Sequence, residues 1–448
     1  MRLRLLVIFL SAGVLFTACD DDDDTPNNNT MTRTFTVRIT NDMSAGTYLA
    51  SGVFNTPTMA GEPGPALPGD SYQFSFQAGH GSYLSFATMM VQSNDFFYAP
   101  VPGGMALYDA GGNAVTGDVT SSIMLWDAGT EIDQEPGSGA DQAPRQAGNN
   151  TGAADANNTV RLAADTFNNL PAVSDVIRVT ITHTPPYQFT VTLENVSNAM
   201  TLMTMDNGSV PVPLAPGVFV VHGMGAEPLF TVGQPDRGEG LEGVAEDGTA
   251  GDLGAALAAN TMYSSPLAPG AYAVYTGNNP IFTSGQPDFG EGLEAAAEDG
   301  DPTALAAALA AAANVDESGV FNMPVGSGSA GPALPGSSFE FTFEASEGDM
   351  LQFATMLGQT NDLFFAPGQN GIALFSNGTA LSGDITAQIS LWDAGTEVNE
   401  LPGIGSNQAP RQAAANTGPN ENGNVRPVND GFSYPSVMDM VTVTITPQ

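Results

Sequence analysis

The heptapeptide LWDAGTE stands at 125–131 and again at 391–397, and a larger text is written twice around it. SGVFNTP (51–57) returns as SGVFNMP (318–324), and GPALPG, FATM and QAPRQ recur in the same order. Phe86 thereby corresponds to Phe353 and Trp126 to Trp392, with one residue lost between these landmarks in the second copy. Self-similarity on this scale means that one fold is made twice along the chain. Each copy then needs its own core, and a residue that matters to the fold or its site should exist in two versions.

The kind of fold follows from alternation. TFTVRIT, SYQFSFQA, YLSFATMM, VIRVTIT, QFTVTLEN, FEFTFEA and MVTVTIT place β-branched and aromatic residues at every second position, and Gly-Pro and Pro-Gly turns separate them. This is antiparallel sheet chemistry, and its simplest product is a sandwich. Between the copies lies a smaller duplication, FTVGQPDRGEGLEGVAEDG (230–248) and FTSGQPDFGEGLEAAAEDG (282–300), each running into an Ala/Leu-rich stretch that reads as helix. The expected fold class is therefore all-β, two tandem antiparallel β-sandwich domains of which the second carries a short helical insertion. The domains are expected at 34–184 and 187–448, divided at Pro185–Pro186, with the duplicated insertion at 215–314.

Charge narrows the partners. Against 48 acidic residues the chain has ten basic ones, every one an arginine, for a net charge of −38. Such a surface repels phosphate backbones and favours cations, so nucleic acid is excluded as a partner. MRLR followed by the apolar run LLVIFLSAGVLF reads as an export signal over 1–18, too short for a spanning anchor. Cys19, the only cysteine, closes that run after small residues and resembles the lipidated cysteine of bacterial lipoproteins; five aspartates and TPNNNT then make a solvated, lipid-anchored linker over 19–33. The expected location is the envelope or surface of a Gram-negative bacterium, with the lipid anchor as the membrane contact.

Two acidic segments recur, SNDFF at 93–97 with TNDLFF at 360–365, and LWDAGTE itself. Gly129 allows a tight turn, so Asp127 and Glu131 can curl around one point, with Asp95 and Asp362 as candidates for a third carboxylate in their respective copies. Calcium takes six to eight oxygen ligands of this kind. Asn-Asp and Asp-Ala-Gly are also ordinary turn formers that need no metal.

GSYLSFATMMVQSNDFFYAP followed by LWDAGTE resembles the spondin N-terminal domain of F-spondin, mindin and bacterial secreted proteins, and both parts occur twice here in the expected order. The resemblance implies a C2-like β-sandwich and calcium ligation by Asp95, Asp127 and Glu131 in the first domain and by Asp362, Asp393 and Glu397 in the second. It further implies a non-catalytic role in adhesion or binding of an extracellular protein or glycan. The sequence departs from the family pattern at Asn94 and Asn361 (proline), at Phe96 and Leu363 (tryptophan), and at Glu131 and Glu397 (aspartate).

The three histidines, His80, His183 and His222, form no metal-binding pair, and no nucleophile-elbow, HExxH or phosphate-loop pattern occurs. The paired carboxylates could serve a hydrolase, but their duplication in twin domains favours calcium, and no enzyme is expected. Alternatively, calcium would stiffen a structural assembly. Trp126 and Trp392 are expected to pack beneath their loops, and Arg145 and Arg411 of QAPRQ to pair internally with an acidic loop.

Overall fold

The computed structural model describes residues 32–448 apart from Ala45; the export signal, Cys19 and most of the acidic linker lie outside the described residues. Two β-sandwiches are formed, as the alternation predicts. In the first, a four-stranded sheet has the order Ser71–Gln77, Gln188–Asn195, Ile177–Thr184, Gly117–Asp118. It faces a seven-stranded sheet whose main path runs Tyr48–Phe54, Leu214–Gly223, Ser82–Met90, Phe96–Ala99, Met124–Asp127, Arg161–Leu162. The second sandwich repeats both sheets, with Ser338–Ser346, Thr32–Asn41, Val441–Pro447 and Gly383–Asp384 as the smaller one. The paired strands run antiparallel, and aromatic rings close the gap between sheets: Phe74 stacks on Phe219 and Tyr272 on Phe341, each with ring centroids 4.4 Å apart.

Each sandwich has a third layer. Helices Leu241–Asp247 and Gly251–Ala259 cover the outer face of the first large sheet, where Leu241, Val244 and Leu253 pack on Ala87, Phe97 and Val218. Helices Leu293–Glu298 and Thr303–Ala311 cover the second through Leu293, Leu305 and Leu309 on Ala271, Ala354 and Phe364. Covered on both faces, the central strands Ser82–Met90 and Met350–Leu357 are buried almost throughout rather than at alternate positions.

The strand pairing crosses the boundary expected at Pro185–Pro186. Those two residues and Tyr187 instead form the turn of a hairpin, with Thr184 opposite Gln188 and the register kept to Ile177 opposite Asn195. The strand expected to open the second domain thus completes the first sandwich, and Thr32–Asn41, expected to open the first, lies between Ser338–Ser346 and Val441–Pro447 in the second. The reason is loop closure: pairing across three residues costs far less chain entropy than pairing across a whole domain. Once that slot is filled, Phe35, Val37 and Ile39, all fully buried, find the equivalent slot in the other sandwich. The insertion at 215–314 is corrected in the same way. Its first strand and helix pair belong to the first sandwich and its second set to the other, so each domain has one set and the first domain is inserted in the second.

Candidate metal centre

The LWDAGTE loop leaves the large sheet at Asp127 and returns around the SND segment. Asp95, wholly buried, accepts hydrogen bonds at Oδ2 from the backbone N–H groups of Thr130 (2.7 Å) and Glu131 (3.1 Å) and from the Thr130 hydroxyl (3.2 Å). Its Oδ1 is buried with no partner. Asp127 Oδ1 accepts from the Gly129 N–H at 2.7 Å, closing a turn in which Gly129 has φ +73°; a Cβ there would sit 2.6 Å from the Thr159 carbonyl oxygen. Glu131 accepts from the Gly152 N–H at 2.6 Å and the Asn94 amide at 3.0 Å, so close to Gly152 that a side chain at that position would collide with it.

The second domain repeats the arrangement. Asp362 Oδ2 accepts from Thr396 N–H (2.8 Å) and Glu397 N–H (3.2 Å), and its buried Oδ1 has no partner. Asp393 Oδ1 accepts from Gly395 N–H at 2.7 Å, and Glu397 Oε1 is buried and unpartnered. The structure therefore gathers Asp95, Asp127 and Glu131 as neighbours in one domain and Asp362, Asp393 and Glu397 in the other.

It also adds residues that the motifs did not single out. Glu246 and Glu298, at the inner ends of helices Leu241–Asp247 and Leu293–Glu298, are only 2 % and 3 % exposed and reach the clusters from the third layer. Both Glu246 carboxylate oxygens lack a partner. Burial pushes Glu246 up to about 8; the Thr130 hydroxyl, near but outside hydrogen-bond geometry, opposes the rise, and the charges of Glu131, Glu242 and Asp95 add to it. Glu298 is pushed up to about 7 and Glu397 to about 8, again chiefly by burial. The repeated AEDG of the small duplication carries this glutamate, but helical spacing alone says only that it lies on a helix.

Arginine enters from an unexpected place. Arg161 Nη2 lies 2.6 Å from Asp127 and 2.7 Å from Asp155, and Arg426 Nη2 lies 2.8 Å from Asp393 and 2.7 Å from Glu421. One guanidinium does not balance its cluster: burial and the charges of Asp95 and Asp133 outweigh Arg161 and push Asp127 up to about 7. Asp393 rises to about 6 by burial, against Arg426. Arg145 and Arg411, in contrast, make no ion pair among the described residues, although the charge of Glu400 stabilises the Arg411 guanidinium. Arg145 donates to Gln92 Oε1 (2.6 Å), the Gly139 carbonyl and Gln142 Oε1 (both 2.8 Å), and Arg411 makes the equivalent bonds to Gln359, Gly405 and Gln408. QAPRQ is a buttress. Its first glutamine holds Asn94 or Asn361, and its last holds Asp247 or Asp299 beside the inward-facing helix glutamate. Asn150 and Asn416 of the recurrent NTG fix the same helices through Glu242 and Glu294.

The tryptophans lie beneath the loops as expected, though on the helical side of the sheet. Trp126 packs on Phe230 with centroids 4.9 Å apart and Trp392 on Phe282 at 4.8 Å. Ser85 Oγ and His222 Nε2 stand 3.0 Å apart, a nucleophile–base distance, but they are 2 % and 0 % exposed and cross-link two central strands.

Asp362, Asp393 and Glu421 each bring a carboxylate oxygen within 4.8 Å of the others, a geometry that can hold a metal ion. In the second domain this donor set suits a hard divalent cation, since it consists of carboxylate oxygens whose charge exceeds that of the arginine beside them. Among the described residues no other three such ligands lie this close together, so the first domain gathers Asp95, Asp127 and Glu131 less tightly. No family model matches the chain, and no curated protein matches it. The fold and these clusters define a tandem, three-layered β-sandwich protein with a carboxylate-lined centre at one end of each large sheet.

Proposed function

We propose that the chain is a non-catalytic, calcium-binding pair of spondin-like domains, exported, lipid-anchored through Cys19, and engaged in adhesion or extracellular ligand binding at the cell envelope. One observation carries the reading. Asp95 Oδ1 and both Glu246 oxygens in the first domain, and Asp362 Oδ1 and Glu397 Oε1 in the second, are buried with no protein hydrogen-bond partner. Leaving such acceptors unpaired costs about 1–3 kcal/mol each, more when charged, and a bound divalent cation removes that cost. Asp95, Glu131 and Glu246 would hold the ion in the first domain, and Asp362 and Glu421, with Glu397 and Glu298 beside them, in the second. Asp127 and Asp393, tethered to arginine, would join it or orient the loop.

The test uses the tryptophans next to the sites. Terbium, a calcium surrogate, should give luminescence sensitised by Trp126 and Trp392, displaced by calcium and reduced by half in Trp126→Phe. Absence of sensitised emission from the folded chain would remove the calcium reading. Adhesion is tested separately, by calcium-dependent retention of the chain on immobilised matrix proteins and glycans.

A calcium-stiffened assembly has its own support. The loop that follows Glu397 runs to the first domain, where Ile404 abuts Gly79 and Tyr187 of the hairpin turn packs on Phe432, with ring centroids 6.0 Å apart. Calcium would then order the contact between domains, and chelation would loosen it without affecting any external ligand.

A further inference from the structure

Apart from both carboxylate clusters, the first sandwich has an element for which the second has no counterpart in the equivalent place among the described residues. Between Gln188–Asn195 and Leu214–Gly223 the chain forms a small hairpin, Leu202–Met203 paired with Ser209–Val210. One face is fixed inward: Leu202, Thr204 and Val210 all lie within 3.2 Å of where a side chain on Gly137 would begin. Alternation therefore turns the opposed pair Met203 and Ser209 outward. The Met200 sulfur lies 3.3 Å from Ser209 Oγ, which places it over the residue facing Met203. Cross-strand partners have Cβ atoms about 5 Å apart, so the two thioethers are within reach of a shared ion. Met205 follows at the tip, where its N–H donates to Glu135, and Asp206 lies beside it.

These methionines do nothing for the core. Met200, Met203 and Met205 are 68 %, 50 % and 68 % exposed, although burying such a side chain would contribute about 1.5–3 kcal/mol. Thioether sulfur is a soft ligand that selects Cu(I) and discriminates against the hard cations suited to the carboxylate centres. It has no proton to lose on binding, and the net charge of −38 enriches cations around the chain. We propose that the outer face of this hairpin is a soft-metal site in which Met200, Met203 and Met205 bind a single Cu(I) ion.

Silver(I) serves as the redox-inert probe, added to the full chain labelled at the methionine methyl carbons. The expected result is uptake of one equivalent that shifts the resonances of these three methionines and leaves those of the still more exposed Met59 and Met224 in place. Met200→Leu/Met203→Leu/Met205→Leu, in which leucine keeps the bulk at exposed positions, should lose that equivalent and its Cu(I) affinity in chelator competition. An unchanged Trp126 emission would show that the fold is kept. Asp95→Asn/Asp362→Asn should retain it. Unaltered silver uptake by the triple-leucine variant, shifts spread evenly over all exposed methionines, or no uptake would each overturn the assignment.

Discussion

At the scale of single residues, the two copies share a precise division of labour. Asp95 and Asp362 spend one oxygen on the loop backbone and leave the other free, while Asp127 and Asp393 close the turn and hold an arginine. Gly129 is needed for its positive φ and because Thr159 leaves no room. Gly129→Ala should therefore lower stability by about 1–3 kcal/mol, read as a shifted denaturation midpoint. Glu246→Gln tests charge directly: in chelator it should raise the midpoint, because it removes a buried, unpartnered carboxylate, and in calcium the order should reverse. The sign of the pH response follows. Glu246 and Glu397 rise from 4.5 to about 8 in the folded chain, so the folded state binds more protons than the unfolded one between these values. The cation-free chain should lose stability as pH rises through that window, and calcium should flatten the dependence. Asp127, Glu131 and Asp95 were legible because their motif is written twice. Glu246, Arg161 and Asn150 were not, since their part depends on which loops the fold brings to one end of the sheet.

At the scale of elements, periodicity predicted the strands and missed their partners. Thr32–Asn41 and Gln188–Asn195 present the same alternation of aromatic, β-branched and polar residues, so either could fill either slot. Side-chain pattern fixes which face is buried but is silent between equivalent slots; the three-residue turn at Pro185–Tyr187 decides. The helices were legible, but their assignment was not, because Ala/Leu composition does not say which sheet it covers. One consequence is specific to this exchange. Val37→Asp, a charge in the centre of the second sandwich on a strand paired with Phe341 and Ile445, should unfold that sandwich first. Trp392 emission should then change at lower denaturant than Trp126 emission, although the substitution lies in the first copy of the repeat. Equal shifts in both signals would contradict the pairing.

For the whole molecule, the inserted arrangement means that the first sandwich is enclosed in sequence by the second, while each keeps its own three layers and its own carboxylate centre. Calcium should accordingly raise both tryptophan-reported transitions, by about 2.7 kcal/mol at a hundredfold excess over the dissociation constant. The most direct test of the account is calcium titration calorimetry on the chelator-treated full chain beside Asp95→Asn/Asp362→Asn. Two calcium ions per chain in the parent and none in the variant are predicted. A folded parent that takes up no calcium, or a variant that binds it undiminished, would contradict the claim that these buried carboxylates form cation centres.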